Sequence, residues 1–161
     1  KITYYGFIFL GLINVSGKPK VIEYNVRLGD PETQVVLPRV KSDLIDLFSK
    51  IEKENEFKLE PLEIREECCS TVILTSKGYP EKYNTGHAIS GIAPFDEESF
   101  TFHAGTKKEN NKILTHGGRV LAISSLGETI EQSLKKSYEK IKQIEFNGMY
   151  FRKDIGLDLI P

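Results

Sequence analysis

Three polar side chains at alternating positions, Glu23, Asn25 and Arg27, form the pattern in this sequence that is best suited to chemistry. On a β-strand, residues two apart point to the same face, so a carboxylate, a carboxamide and a guanidinium would stand in a row. Glutamate and asparagine supply the oxygen ligands that a hard cation such as Mg²⁺ accepts. A guanidinium holds a carboxylate or a phosphate through two parallel hydrogen bonds. The spacing therefore predicts a site for a metal ion and an anion.

The same triplet also fits a strand with one polar, solvated face, because a Glu-x-Asn-x-Arg pattern is short. Two neighbouring features favour a binding site. Residues 4–15 are rich in aromatic and β-branched types, which predicts a strand buried on both faces rather than a surface ribbon. The turn after the triplet adds Asp30 and Glu32, and such a concentration of negative charge is unfavourable unless something binds there.

A long β-hairpin is predicted to carry the triplet. Residues 4–15 form its first strand, the turn-rich residues 16–19 connect, and residues 20–27 alternate as the second strand. The face of the second strand opposite the triplet is predicted to pack in a core. Its members are Ile22, Tyr24 and Val26.

Short helical elements and a connector are predicted to follow the hairpin. Asp30 is a suitable N-cap for a helical turn, with a proline next to it. Pro38 indicates an extended segment over residues 35–40. Apolar residues at helical spacing predict a helix over residues 42–54, with Ser42 as its N-cap. The apolar stripe of that helix consists of Leu44, Ile45, Leu47, Phe48 and Ile51.

The second half of the chain is predicted to be mainly β, with one long helix. The charged stretch 52–60 indicates a surface loop and a boundary between residues 1–60 and residues 61–161. Thr129 and Gln132 form a capping box that predicts the start of the helix. Strands are predicted at 70–76, 100–104, 119–125 and 150–160, with a hairpin over 106–114 that turns at Asn110-Asn111. The predicted fold class is α+β.

Composition and charge argue against several classes of protein. The 161 residues carry a net charge of -1, so the basic excess of a nucleic-acid-binding domain is missing. No apolar run predicts a membrane span or a signal peptide, which indicates the cytoplasm.

The adjacent Cys68 and Cys69 are predicted to be reduced thiols, because neighbouring cysteines rarely form a disulfide bond with each other. His87, His103 and His116 match no zinc-binding spacing, so structural or surface roles are predicted for them.

The sequence around the triplet resembles a known enzyme family. Glu-x-Asn-x-Arg at the end of a long hairpin is similar to the metal-binding strand of the ATP-grasp superfamily. Residues 23–34 and 37–44 together resemble one family within it, the glycinamide ribonucleotide synthetases (phosphoribosylamine–glycine ligases). Further similar strings follow in the family's order, at residues 76–80, 102–106, 117–121 and 151–156.

The resemblance implies an architecture for the chain. Residues 1–60 would be the C-terminal portion of an ATP-grasp domain, consisting of an antiparallel hairpin plus a helix. Residues 61–161 would be a small β-rich C-terminal domain with one long helix. The first residue is lysine rather than methionine, and the family's adenine-binding segment and glycine-rich phosphate loop have no counterpart here. The chain is therefore expected to be a fragment without ligase activity of its own.

The resemblance also implies a reaction. ATP would phosphorylate the carboxylate of glycine, and the amine of 5-phosphoribosylamine would attack the glycyl phosphate to give glycinamide ribonucleotide in purine biosynthesis. By this resemblance Glu23 and Asn25 would hold Mg²⁺ (or Mn²⁺) on ATP, and Arg27 would be the catalytic cation. Asp30 and Glu32 would bind substrate. The full-length enzyme is expected to be a monomer that binds neither nucleic acid nor membrane.

Two cations in the second half are further candidates for substrate binding. Lys77 precedes a Gly-Tyr-Pro turn and could bring a positive charge to the mouth of an active site, although a solvated turn explains it as well. Arg119 follows two glycines and could reach an anionic substrate, or could simply begin a strand.

One departure from the superfamily pattern concerns the metal. Many members have a second acidic ligand on the preceding strand, but residues 7–13 contain no acid, so metal binding is expected to be weaker or to use one ion held mainly by ATP. Two alternatives stay open: another ATP-grasp carboxylate–amine ligase or carboxylase, and a non-catalytic β-rich binding module. In a fragment, the strand over residues 4–15 would also expose an apolar strip that missing neighbours normally cover.

Overall fold

Strands outnumber helices in the computed structural model of the chain, which describes residues 4–51, 61–94 and 96–160. The chain divides into two compact units, Lys1–Ile64 and Arg65–Pro161. The charged loop predicted over residues 52–60 lies outside the described residues. Within the described part of the chain, no helix has the length and apolar character needed to cross a bilayer.

The first unit begins with a two-stranded antiparallel ribbon, formed by β1 (Phe9–Val15) and β2 (Lys18–Asn25). The hairpin predicted from sequence is therefore confirmed. Ser16 and Gly17 turn the chain with positive φ angles of 52° and 80°, and the Gly17 amide donates to Asn14 Oδ1 at 2.8 Å. A β-bulge interrupts the pairing of β1 with β2 between Gly11 and Leu12.

Burial of the ribbon was predicted wrongly. Leu10 and Leu12 of β1 are 49% and 55% exposed, and Ile22 and Tyr24 of β2 are 65% and 69% exposed. Val26, predicted to face the core with them, is also 69% exposed. The physical reason is that two strands alone have too little surface to bury either of their faces. The exposed apolar strip that was expected over residues 4–15 is therefore present.

Two short helical segments replace the extended connector predicted over residues 35–40. These are α1 (Thr33–Val36) and a 3₁₀ turn (Leu37–Arg39), and Pro38 is tolerated because it lies in the first turn of the 3₁₀ segment. The predicted N-cap Asp30 is also wrong, since Glu32 occupies the cap position of α1.

The helix predicted from Ser42 is shorter than expected in its described part, where α2 spans Leu44–Ser49. Asp43 caps it by accepting hydrogen bonds from Ile45 N at 2.7 Å and Asp46 N at 3.1 Å. Ser42 is not the cap, because its hydroxyl oxygen accepts the Glu63 amide at 2.8 Å. Ile45, placed on the predicted apolar stripe, is 81% exposed.

The second unit contains a four-stranded antiparallel sheet with a helix packed on it, and a three-stranded sheet. The strands are β3 (Cys68–Ser76), β4 (Ala88–Ile89), β5 (Ser99–His103), β6 (Thr106–Glu109), β7 (Lys112–Thr115), β8 (Arg119–Gly127) and β9 (Met149–Tyr150), and the helix is α3 (Ile130–Ile141). The four-stranded sheet has the order β5-β8-β3-β9, and the three-stranded sheet has the order β4-β7-β6. The core is apolar and comprises Val72, Leu74, Val120, Leu121, Ile123, Ile141, Ile144 and Phe146.

Most sequence predictions for the second unit are confirmed. The strands near 70–76, 100–104 and 119–125 exist, and the hairpin turns at Asn110 and Asn111, whose φ angles are 48° and 60°. Thr129 caps α3 by accepting the Gln132 amide at 3.2 Å. The strand predicted over residues 150–160 is wrong: β9 ends at Tyr150, and a 3₁₀ turn occupies Leu157–Leu159.

Buried serines join α3 to the sheet in what we call the hydroxyl seam. The Ser133 hydroxyl donates to Ser70 Oγ at 2.6 Å and also lies 2.9 Å from the carbonyl of Ser125. The Oγ atoms of Ser70 and Ser137 are 3.4 Å apart, and those of Ser99 and Ser125 are 3.0 Å apart. These small side chains, together with Gly127, let the helix approach the strands closely.

Candidate functional site

Glu23 and Asn25 lie on the same face of β2, and the structure brings their side chains together. Asn25 Nδ2 is 3.4 Å from Glu23 Oε1. Their cross-strand partners on β1 are Gly11, opposite Glu23, and Phe9, opposite Asn25. One carboxylate and one carboxamide therefore share a small area at the end of the ribbon.

Gly11 makes room for the carboxylate of Glu23. A Cβ atom at position 11 would lie 2.8 Å from Glu23 Cγ and 3.6 Å from Glu23 Oε1. The bulge that directly follows Gly11 changes the pairing of the two strands at this point. The Glu23 side chain therefore lies across a position where β1 has no side chain of its own.

Arg27 lies two residues beyond the end of β2, and its side chain turns toward the neighbouring backbone. Its Nη1 atom donates a hydrogen bond to the carbonyl oxygen of Leu28 at 2.9 Å. The Tyr4 hydroxyl lies 2.8 Å from the carbonyl oxygen of the preceding residue, Val26, and 2.9 Å from that of Phe7. The backbone carbonyls immediately before and after Arg27 therefore each accept a side-chain hydrogen bond.

The turn after Arg27 presents the two further carboxylates. Gly29 is buried, and a Cβ atom there would lie 2.5 Å from Glu32 Oε2, so the Glu32 side chain folds over this glycine. The Thr33 hydroxyl donates to the Gly29 carbonyl at 2.6 Å, which closes the turn. Asp30 is exposed in the same turn and is joined to Pro31 by a cis peptide bond.

The donor set of Glu23 and Asn25 fits a Mg²⁺ ion that takes most of its ligands from phosphate and water. The Asn25 Nδ2 group donates a hydrogen bond to Glu23 Oε1, and rotation of the amide by 180° would place Oδ1 beside the carboxylate instead. In the residues that the structure describes, no group of three or more His, Cys, Asp or Glu side chains is arranged to hold a metal. Among the described residues, Glu23 and Asn25 are therefore the two side chains that could offer oxygen ligands to such an ion.

Lys77 and Arg119 both lie in the second unit, and only Lys77 lines the cavity described next. Lys77 contributes to a cavity of about 180 Å³ whose lining does not include Arg119. Arg119 is exposed at the first position of β8, opposite Thr75. The cavity, which we call the Lys77 cavity, is lined by Ser76, Lys77, Asn84, His87, Asn147 and Gly148.

Sequence reasoning missed Gly11 and most of the Lys77 cavity. Gly11 matters only through the strand register, which brings it opposite Glu23. Asn84 and Asn147 are far apart in sequence and form no motif, so no spacing could have paired them. His87, assigned a structural or surface role, lines the cavity, whereas His103 Nδ1 lies 3.0 Å from the Thr106 hydroxyl. Neither Cys68 nor Cys69 forms a disulfide bond, as predicted.

Comparison with known protein families identifies relatives of this chain. The family model described as phosphoribosylglycinamide synthetase, C domain, matches residues 69–158. Phosphoribosylamine–glycine ligase from Clostridium acetobutylicum is 46% identical over 158 residues, which cover 97% of this chain and 37% of that protein. The enzyme of the same name from Chlorobaculum tepidum is 44% identical, with 96% of this chain and 36% of that protein covered.

A solved structure is similar as well. The crystal structure of phosphoribosylamine–glycine ligase from Thermotoga maritima superposes with a TM-score of 0.76 at 37% sequence identity, over 94% of this chain and 37% of that one. The chain thus spans little more than a third of the length of the relatives that it matches.

Proposed function

Because the chain belongs to the phosphoribosylglycinamide synthetase C-domain family, we propose that it forms the C-terminal part of a phosphoribosylamine–glycine ligase. The full-length enzyme joins glycine to 5-phosphoribosylamine with the use of ATP and so makes glycinamide ribonucleotide. Identity of 44–46% to two such ligases over nearly the whole chain supports this assignment. One observation supports the proposed metal site most directly: the side chains of Glu23 and Asn25 are hydrogen-bonded to each other, and Glu23 occupies the space beside Gly11.

The first unit supplies the phosphate-side machinery in this proposal, as the C-terminal portion of an ATP-grasp domain. Glu23 and Asn25 would hold Mg²⁺ (or Mn²⁺), which neutralises charge on the ATP phosphates when it is bound. Arg27 would leave the Leu28 carbonyl to hold the transferred phosphoryl group or the glycine carboxylate as a charge-assisted contact. Catalysis of this kind consists mainly of positioning and charge neutralisation.

Candidate substrate-binding residues are proposed in each unit separately. Asp30 and Glu32 would orient the amine substrate or Arg27, since the turn closed by Thr33 fixes their backbone. In the second unit, the small β-rich C-terminal domain of the proposal, Lys77 and Arg119 would contact anionic groups of the substrate. We further propose that the full-length protein is a cytoplasmic monomer.

The proposal is tested with the full-length protein, by calorimetric titration of Mg-ATP and by assay of glycinamide ribonucleotide formation. We expect Glu23→Gln to abolish Mg-ATP binding and product formation, because the substitution removes the only charged metal ligand on β2. Glu81→Gln is the matched control, since Glu81 is an exposed carboxylate in the second unit. The 161-residue chain alone is expected to form no product.

Each alternative function predicts a different result. Product formation that needs ATP but accepts another acid or amine in place of glycine and phosphoribosylamine would identify another ATP-grasp ligase. Absence of Mg-ATP binding in the full-length protein, or binding that is indifferent to Glu23→Gln, would favour a non-catalytic binding module.

A further inference from the structure

The Lys77 cavity is built from three separate segments of the second unit. The end of β3 provides Ser76 and Lys77, a loop provides Asn84 and His87, and the turn before β9 provides Asn147 and Gly148. Because Gly148 has no side chain, its backbone forms this part of the cavity wall directly.

Backbone hydrogen bonds hold the three segments in place. The Lys77 amide donates to the Gly148 carbonyl at 2.7 Å, which joins the first segment to the third. The His87 amide donates to the Thr115 hydroxyl at 3.1 Å, and the Thr115 amide donates to the His87 carbonyl at 2.8 Å. Thr115 itself is completely buried, so these bonds tie the segment that carries His87 to the interior of the unit. The cavity is therefore formed before any ligand arrives, which reduces the ordering cost of binding.

The chemistry of the lining favours an anion. Lys77 carries a full positive charge, and the amides of Asn84 and Asn147 and the ring of His87 are hydrogen-bond donors. The described lining residues include no Asp or Glu. The Ser76 hydroxyl is already engaged, since it donates to the Gly117 carbonyl at 3.0 Å.

We propose that the Lys77 cavity is a subsite for a phosphate monoester group. A terminal phosphate offers three strong acceptor oxygens, which suits several donors around one cavity better than the two oxygens of a carboxylate do. The inference rests on the proposed function in one respect: the group that occupies the cavity is the 5-phosphate of the phosphoribosyl substrate. Lys77 is then the charged contact, and Asn84 and Asn147 orient the phosphate.

The test uses the full-length protein and ribose 5-phosphate as the probe, with ribose as the probe that lacks the phosphate. We expect ribose 5-phosphate to bind in calorimetry without ATP and ribose not to bind. Lys77→Met is expected to weaken binding at least about tenfold, the loss typical of one hydrogen bond to a charged group. Asn84→Ala should weaken it as well. Lys82→Met is the matched control, because Lys82 is an exposed lysine of the same loop that does not line the cavity.

Kinetics separate this inference from the proposed function. In an active enzyme, Lys77→Met should raise KM for phosphoribosylamine and leave KM for ATP unchanged. If the enzyme is active and neither Lys77→Met nor Asn84→Ala changes KM for phosphoribosylamine, the subsite is refuted while the proposed function stands. If ribose 5-phosphate binds through Lys77 but no ligase activity exists, the subsite stands and the proposed function fails. Equal binding of ribose and ribose 5-phosphate would also overturn the inference.

Discussion

The gap at Gly11 allows a sharp test of whether the position of Glu23 matters. The substitution Gly11→Ala adds one methyl group, and its Cβ would lie 2.8 Å from Glu23 Cγ. Carbon atoms that are not bonded normally stay about 3.5–4.0 Å apart, so Glu23 Cγ must move by about 0.7–1.2 Å. Cγ is close to the backbone, so the clash is relieved only by rotation about χ1 or by a backbone shift. Either movement displaces the carboxylate as well.

The expected effect of Gly11→Ala is on chemistry rather than on folding. A displacement of about 1 Å in a positioned group costs about 10²-fold in rate, so kcat should fall by about that factor. The φ angle at Gly11 is not positive, so alanine fits the backbone there and the thermal midpoint should change little.

The measurements are steady-state kinetics, Mg-ATP titration and thermal unfolding of the full-length protein. Gly17→Ala serves as the control on the same ribbon. No atom lies within 4 Å of a Cβ at position 17, but φ is 80°, so alanine is strained there. Gly17→Ala should therefore lower stability and leave Mg-ATP binding intact. If Gly11→Ala leaves both kcat and Mg-ATP affinity unchanged, the reasoning that places Glu23 as a metal ligand held over Gly11 is refuted.

Two further predictions concern the second unit. Gly127→Ala would place a Cβ 2.5 Å from the amide nitrogen of Ser133, which forces α3 away from β8. The free energy of unfolding, measured with denaturant, should fall by about 1–3 kcal/mol. An unchanged unfolding midpoint would contradict the close approach of α3 to β8. Arg152→Met should raise the pKa of the Asp154 carboxyl toward its ordinary value, because the hydrogen bond from Arg152 is the main cause of its lowered pKa. An NMR titration of Asp154 in both proteins measures the shift, and identical titration curves would show that the ion pair does not form in solution.

Local signals explain what could be predicted from the sequence. Asn110 and Asn111 tolerate positive φ, so the hairpin turn was recognisable without any knowledge of the rest of the chain. Thr129 followed by Gln132 marked the start of α3 in the same way. In both cases the residues that decide the conformation are adjacent to the structure that they form.

Non-local effects explain what could not be predicted. The aromatic and β-branched composition of β1 indicates a strand, but burial depends on what else packs on it, and in the ribbon Leu12 is 55% exposed. The period of two along β2 was enough to predict that Glu23 and Asn25 share a face. The register that sets Gly11 opposite Glu23, and the meeting of three segments around Lys77, depend on tertiary structure that no local pattern encodes.

The hydroxyl seam has a consequence for how the second unit unfolds. Apolar contacts tolerate small displacements of a helix, but the polar contacts of the Ser133 hydroxyl with Ser70 Oγ and with the Ser125 carbonyl oxygen are directional. If α3 slid along the sheet by one turn, about 5.4 Å, these bonds would break together, and each buried hydroxyl left without a partner would cost about 1–3 kcal/mol. The helix therefore has one register on the sheet instead of several of similar energy. We expect α3 and the four-stranded sheet to lose their amide protection against hydrogen exchange in a single transition.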